Sequence, residues 1–308
     1  MSLRLPNSIG ELTKADRNSG ELWVHKIDIY LLWFEYLAIS PSYEMARRHR
    51  KGLRIDKSML PADFEQVLAV YDDLGDVQQS LFRLWWKDVG LAQFGHKGAP
   101  PAVTCVGYTT HHSNKTPNLS DKLEAYFDEG WADQGRQRTM ILAVPVGMPE
   151  GKINRQIKRQ LARIKAERRE IIPPPAKYPL VGKRHHKDAL MRYLRTVWFR
   201  SAMHQKALWR VGAKANISQT YSPVLAMNFA QDEVPDVADR DIMTVIASRA
   251  LLRARMIAEN AARGRFPTHA NCEGAIDFDF KELCQRIHRR NKWQEREIIR
   301  INKQAKTL

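Results

Sequence analysis

Cysteine is scarce in this sequence, with three residues in a chain of 308, at positions 105, 272 and 284. Three cysteines in a chain of this length do not form the disulfide framework that stabilises small secreted domains. The scarcity favours a reducing compartment, and we expect a cytoplasmic protein.

Long apolar runs are also missing. The most apolar stretch, IDIYLLWFEYLAI at 27–39, carries two acidic residues. It is shorter than the roughly 20 residues that a membrane-spanning helix needs. The first twenty residues hold no apolar core of signal-peptide length. We therefore expect neither secretion nor insertion into a membrane.

Several catalytic and nucleotide-binding motifs are absent as well. The sequence holds no P-loop, no dinucleotide-binding glycine pattern and no serine nucleophile elbow. These absences disfavour the corresponding enzyme classes and leave open whether the protein is an enzyme of another kind.

What the sequence does have is positive charge, and the charge is unevenly spread. The formal net charge is +16, yet residues 1–150 carry 17 basic and 19 acidic residues. Residues 151–308 carry 33 basic and 15 acidic residues, and 151–214 alone carries 18 against 3. A concentration of one sign favours a polyanionic partner through electrostatic steering and counterion release. Nucleic acid is the predicted partner, and an anionic membrane surface or an acidic protein is the alternative.

Hydrophobic periodicity predicts a multi-helical protein. Apolar residues recur at helical spacing in most of the chain, and Pro41 breaks the first helical stretch in two. Two segments rich in β-branched residues, 102–110 and 139–147, are strand candidates. We predict a mainly α fold with a small α/β strand–helix element and a two-part architecture. The predicted helices cover 27–50, 59–94, 120–131, 148–172, 186–212, 239–263 and 280–303.

Composition suggests where the parts begin and end. We predict a neutral, tryptophan-rich helical part at 1–135 and a strand with a basic amphipathic helix at 136–172. A proline-rich connector at 173–186 then leads to a basic helical nucleic-acid-binding part at 187–308. The tryptophans of the first part are interpreted as core residues, because that part has no net positive charge. Base stacking and a protein-docking surface are the alternatives.

The segment MPEGKINRQIKRQLARIKAERREII at 148–172 carries the strongest binding signal. Ile153, Ile157, Leu161 and Ile164 form an apolar stripe at helical spacing, and cations occupy the other faces. This pattern suits a helix that docks by its apolar side and contacts phosphates with its cations, which gives affinity rather than sequence preference. The predicted nucleic-acid-binding residues here are Lys152, Arg155, Lys158, Arg159, Arg163, Arg168 and Arg169.

Residues 208–225 begin like a helix-turn-helix. Asn216 occupies the position where the turn needs a positive φ, and Ser218 resembles the N-cap of a recognition helix. Pro223 conflicts with a helix that starts at Ser218, because proline is harmless only in the first turn. The second helix must therefore start later, or the segment is an ordinary connection. The remaining predicted nucleic-acid-binding residues are Lys183, Arg184, Gln219, Thr220, Arg289 and Arg290. If Ser218 caps a recognition helix, Ser222 would face the groove together with Gln219 and Thr220.

A metal site is a further candidate. His269 and Cys272 precede Cys284 and His288 with spacing typical of small zinc sites, although the ligand types are permuted. These four residues are the predicted ligands of a structural zinc ion. Chance alignment, with Cys284 as an ordinary core residue, is the alternative.

A cluster of acidic residues raises the possibility of catalysis. Asp277, Asp279, Lys281 and Glu282 follow one another closely in AIDFDFKE, and similar clusters hold divalent ions in nucleases. A strand with its polar residues facing outward, or a helix start with Asp279 as N-cap, explains the same residues equally well. A metal-dependent nuclease is thus an alternative hypothesis.

The stretch WFEYLAISPSYEMARR near the N-terminus resembles a motif of uncharacterised regulator-like proteins from proteobacterial integrative elements. Ser40 stands where those proteins more often have Asn. The resemblance implies a mobile-element or plasmid setting and a DNA-binding role, and it transfers no catalytic residue. The matching residues are Trp33, Glu35, Tyr36, Leu37, Ser40, Pro41 and Tyr43.

Together these patterns predict a non-catalytic nucleic-acid-binding protein, more specifically a DNA-binding regulator or accessory factor of a bacterial mobile element. The alternative is a subunit of a larger nucleic-acid–protein assembly, docked through its N-terminal helical part. Sequence alone does not separate DNA from RNA.

Overall fold

The computed structural model describes residues 18–19, 22–24, 27–99, 102–107, 119–134, 136, 139–166, 176–182, 184–227 and 236–305. Arg168, Arg169 and Lys183 lie outside the described residues. Within the described residues, no helix is long and apolar enough to cross a membrane.

The protein is mainly helical, as the sequence predicted. Two of the helical stretches contain a five-residue π-helical turn, at Trp86–Gly90 and at Tyr126–Gly130. The described helices are α1 (Ile27–Ile39), α2 (Pro41–Arg50), α3 (Phe64–Leu74), α4 (Phe82–Trp85), α5 (Leu91–Phe94), α6 (Leu119–Ala125), α7 (Trp131–Asp133), α8 (Glu150–Ala166), α9 (Lys187–Ala202), α10 (Leu208–Lys214), α11 (Tyr221–Met227), α12 (Val237–Ala261) and α13 (Phe280–Ala305).

The small strand element lies elsewhere than predicted. The described strands are β1 (Asn18–Ser19), β2 (Leu22–Trp23) and β3 (His96–Lys97). Strands β2 and β3 pair antiparallel, with Leu22 opposite Lys97. The prediction of strands was wrong for 139–147 and for the described residues of 102–110, because none of these residues lies in a β-strand. A β-branched run becomes a strand only where another strand completes its hydrogen bonds, and local composition does not supply that partner.

The chain forms two compact units. The first contains the described residues of 1–19, 24–95 and 176–308, and the second those of 20–23 and 96–175. Helices α1 to α5 and α9 to α13 therefore share the first unit. The division by charge composition, in contrast, assigns these two groups of helices to separate parts, 1–135 and 187–308. The grouping follows packing, because α1 is buried against α9 and α12.

Helix α1 is the centre of the first unit. Twelve of its thirteen residues are buried. Trp33 is fully buried, stacks on Phe266 and donates its indole N–H to the carbonyl of Ala261 at 3.3 Å. Trp85 and Trp86 are also buried. These tryptophans are core residues, as interpreted from the sequence, and they offer no docking surface or base-stacking platform.

The break between α1 and α2 follows from two neighbouring residues. The Ser40 hydroxyl accepts a hydrogen bond from the Tyr43 backbone N–H at 3.2 Å, which caps α2. Pro41 occupies the first position of α2, where its missing N–H costs nothing. The predicted division of 27–50 into two helices is confirmed.

Candidate nucleic-acid interface

Helix α8, in the second unit, presents the most exposed basic surface that the sequence predicted. It begins at the Pro149 carbonyl, which accepts from the backbone N–H of Lys152 at 2.9 Å. Its 17 residues contain six basic side chains against one acidic side chain. No described side chain of α8 is buried, so the helix forms without a core of its own to cover.

Four of the six cations of α8 share one face. At about 100° per residue, Lys152, Arg155, Arg159 and Arg163 fall within about 80° of one another. The apolar seam that begins at Ile153 is centred about 155° away on the helix circumference. One side of α8 is therefore a cationic stripe and the other a narrow aliphatic seam, which is the arrangement that a phosphate-contacting helix requires.

These cations are available to a ligand. Lys152, Arg155, Lys158, Arg159 and Arg163 are all exposed. In the part of the chain that the structure describes, none of the five forms an ion pair. The described carboxylates therefore do not neutralise their charge, and a polyanion could do so.

Helices α10 and α11, in the first unit, form a helix–turn–helix-like pair. Asn216 has φ of 51°, as predicted for the turn. The Ser218 hydroxyl accepts from the Tyr221 backbone N–H at 3.2 Å, and Ser222 Oγ accepts from the Ser218 backbone N–H at 3.1 Å. A small core holds the pair on α12; it contains Ala213, Ile217, Leu225, Met243 and Ala250.

The later start of the second helix agrees with the proline argument. Helix α11 begins at Tyr221, so Pro223 lies in its first turn, where proline is tolerated. Gln219 and Thr220 are exposed in the turn before α11. The expectation that Ser222 faces a DNA groove was wrong, because its side chain is buried and hydrogen-bonded to the turn. The α10–α11 pair thus presents two polar side chains and a seven-residue helix.

Arg289 and Arg290 are neighbours in sequence but differ in exposure. Arg289 is exposed and lies 3.7 Å from Glu282. Arg290 is buried and makes a two-point contact with Glu35, at 2.6 and 2.8 Å. The prediction that Arg290 contacts nucleic acid is corrected on this ground, because a buried guanidinium paired with a carboxylate has no exposed donor for a phosphate.

The predicted zinc site does not form. Cys272 is buried, Cys284 is half-buried, and His269 and His288 are exposed. Among the described residues, which include all four, no group of three or more His, Cys, Asp or Glu side chains could hold a metal ion. Burial raises the pKa of the Cys272 thiol, which disfavours the thiolate that zinc needs. Sequence spacing matched a metal motif while the fold directs these side chains apart.

The acidic residues of the sequence AIDFDFKE have structural roles. Asp279 is the N-cap of α13: its carboxylate accepts from the backbone N–H groups of Lys281 and Glu282, at 2.9 and 3.0 Å. Asp277 forms an ion pair with Arg255. The helix-start interpretation is confirmed, and the candidate nuclease site is withdrawn because the carboxylates do not converge on a metal position.

A buried polar network in the first unit was missed by sequence reasoning. Glu259 is fully buried and accepts hydrogen bonds from the Ser40 hydroxyl at 2.6 Å and from Arg263 at 3.2 Å. Arg263 also donates to Asp63 at 2.6 and 2.8 Å and to the Gly274 carbonyl at 2.7 Å. These charges join distant segments of the core, and their spacing along the chain gives no local signal.

The structure divides the predicted binding residues between the two units. The α8 cations belong to the second unit, and Arg184, Gln219, Thr220 and Arg289 belong to the first, where all four are exposed. Lys214, the basic residue in the last turn of α10, is also exposed and was not among the predicted residues. Basic residues at helix C-termini are common, and this explains why the sequence did not single it out.

Comparison with known proteins adds no assignment: no protein-family model, no curated protein and no solved structure matches the chain.

Proposed function

We propose that the protein binds nucleic acid, with duplex DNA as the first candidate, and that it does so without catalysis. Helix α8 supplies the contact, mainly to phosphates. The single observation that carries this proposal is the cationic stripe of α8, which is exposed, lies opposite the apolar seam and has no ion pair in the described residues. The N-terminal motif resemblance supports a regulator or accessory factor of a bacterial mobile element.

Charge reversal on α8 tests the proposal. We expect the Arg155→Glu, Arg159→Glu, Arg163→Glu triple variant to bind labelled duplex DNA on the order of a hundredfold more weakly at low salt. The plot of log affinity against log salt should become less steep by about 3, since each lost phosphate contact contributes about 0.9 to the magnitude of the slope. Fluorescence anisotropy over a salt titration measures both quantities, with single-stranded DNA and duplex RNA as comparison ligands.

A matched control separates the helix from the overall charge. Arg54, Lys87 and Lys281 are exposed cations of the first unit that form no ion pair with another described residue. Reversing these three to Glu changes the net charge by the same amount and should leave the slope nearly unchanged. Equal losses of affinity in the two triple variants would show that the binding depends on the total charge and not on α8. The absence of binding to any of the three nucleic acids at low salt would refute the proposal.

A second candidate is a subunit of a larger nucleic-acid–protein assembly. Its support is the segment before α8, which belongs to no helix or strand and in which Ile141, Leu142, Val144 and Val146 are exposed apolar residues. Such a segment favours a protein partner, because exposed apolar residues gain by burial. This candidate predicts weak DNA binding by the isolated chain and tighter binding once the partner is added.

A further inference from the structure

Helix α12 is apolar on two opposite faces. One face is buried in the core through Met243, Ala247, Ala250 and Ala254. On the outer face, Ile242, Val245 and Leu252 are 40%, 47% and 53% exposed. A helix that is apolar on both sides normally has both sides covered. The outer face of α12 therefore lacks a cover among the described residues.

The spacing along this outer face is that of a coiled-coil seam. Successive positions are separated by four and then three residues, which is the heptad pattern of helices that pair along their length. Five of the six seam residues are apolar, and the seam is about 27 Å long at 1.5 Å per residue. The seam consists of Ala238, Ile242, Val245, Arg249, Leu252 and Met256.

Charges flank the seam with opposite signs at its two ends. Asp239 and Asp241 lie beside the first part, and Arg253 and Arg255 lie beside the last part. The two aspartates have no ion pair in the described residues, whereas Arg253 donates to Tyr193 and Arg255 pairs with Asp277. A helix with this polarity is complementary to itself when reversed.

We propose that the outer face of α12 pairs antiparallel with the same face of a second copy, about a two-fold axis that crosses this face at the level of residue 247 along the helix. This register aligns every seam layer. Ala238 faces Met256 of the second copy, Ile242 faces its Leu252, and Val245 faces its Arg249. The flanking aspartates then face the flanking arginines.

The parallel arrangement is disfavoured by the same residues. It would place Arg249 against Arg249 of the second copy inside the seam, and aspartates against aspartates at one end. Like charges at such positions repel, whereas the antiparallel register sets Arg249 beside an aliphatic residue with its charged end able to reach solvent. The interface needs no nucleic acid, so the inference is independent of the proposed function.

Sedimentation over a protein concentration series is the first experiment. The full chain should show a monomer–dimer equilibrium, and the Ile242→Asp, Leu252→Asp double variant should dimerise at least about a hundredfold more weakly. Arg249→Leu should strengthen the dimer, because it removes the one polar seam residue. The matched control is Leu53→Asp with Leu84→Asp; these residues are 51% and 44% exposed and lie off this face, so the dimer should persist.

Cysteine pairing then tests the register, in a chain with Cys105→Ser and Cys284→Ser. A mixture of the Ile242→Cys and Leu252→Cys proteins should form an intermolecular disulfide between the two, and either protein alone should not. In the antiparallel register two copies of residue 242 are about 15 Å apart along the helix axis, beyond the reach of a disulfide. Cross-linking of each single variant with itself would establish a parallel dimer and overturn the proposal. A chain that stays monomeric with Arg249→Leu would overturn it as well.

Discussion

Helix α8 and the first half of α13 are both rich in basic residues, and they use them in different ways. On α8 the five cations from Lys152 to Arg163 are exposed and form no ion pair in the described residues. On α13, Arg286 and Arg290 are buried and contact backbone carbonyls or a carboxylate of the first unit. The same residue type thus serves as a potential ligand contact in one helix and as a core connector in the other.

The difference lies in what each helix packs against. Arg286 donates to the carbonyls of Ile39 and Ser40 at 3.1 and 3.2 Å, at the junction between α1 and α2. Arginine suits this role because its planar guanidinium donates in several directions at once. Net charge counted along the sequence therefore overstates the charge available to a partner. Some of the cations after residue 150 are buried and hydrogen-bonded within the fold.

The largest expected effect comes from breaking a buried pair. We expect Arg290→Ala to lower the free energy of unfolding by about 3–5 kcal/mol, because it leaves Glu35 buried without a counter-charge. Arg289→Ala, one residue away on the exposed side, should cost less than about 1 kcal/mol. Urea denaturation of both variants measures the contrast. The double variant Arg290→Leu, Glu35→Leu should regain most of the loss, and a persistent loss would mean that the pair is not the cause.

Much of the local helix structure was predictable, and the particular residues show why. Ser40 and Pro41 carry a cap and a helix-starting proline within two positions, so the break between α1 and α2 follows from local chemistry. Asn216 and Pro223 likewise fix the turn and the late start of α11.

The errors share a different cause. The partner of Arg290 is Glu35, 255 residues away, and no local pattern connects the two. The segment 139–147 has strand composition but does not form a strand, and the zinc candidates have the spacing of a metal motif but do not form a metal-binding group. Predictions failed where a residue's role depends on a distant element rather than on its neighbours in sequence.

A smaller effect is expected from replacing a glycine by alanine in the packed helix α10 and in the exposed helix α8. A Cβ at Gly212 in α10 would lie 2.6 Å from Met243 Sδ and 3.2 Å from the Ala247 Cβ. We therefore expect Gly212→Ala to lower the free energy of unfolding by about 1–3 kcal/mol through overpacking. Gly151 in α8 has no atom within 4 Å of that position, and Gly151→Ala should be neutral or slightly stabilising.

Thermal or urea unfolding compares the two glycine variants. In a chain that already carries Met243→Ala, Gly212→Ala should lower the free energy of unfolding by less than it does in the wild type. The Met243 side-chain atoms that the new Cβ would clash with are then absent. If both single variants were equally destabilised, α8 would be as tightly packed as α10, and the contrast between the two helices would fail.

The smallest expected effect concerns the pH dependence of the buried network. Hydrogen bonds from the Arg263 guanidinium hold the pKa of the Asp63 carboxyl below its usual range. A depressed pKa in the folded state means that the carboxylate stabilises the fold above the unfolded pKa of about 3.9. That contribution is lost as the pH falls through the lower folded value. Protonation of Asp63 thus weakens a connection between the segments that Arg263 joins.

Asp63→Asn isolates this contribution. We expect the variant to be less stable than the wild type at neutral pH by about 1 kcal/mol or less, because Asp63 is partly exposed. The difference should shrink as the pH falls below about 4, since the wild-type carboxylate is then neutralised too. Urea denaturation at pH 7, 5, 4 and 3 follows the two curves. Parallel curves over this range would show that Arg263 is held by Glu259 and the Gly274 carbonyl alone, and that the acid sensitivity of the first unit lies elsewhere.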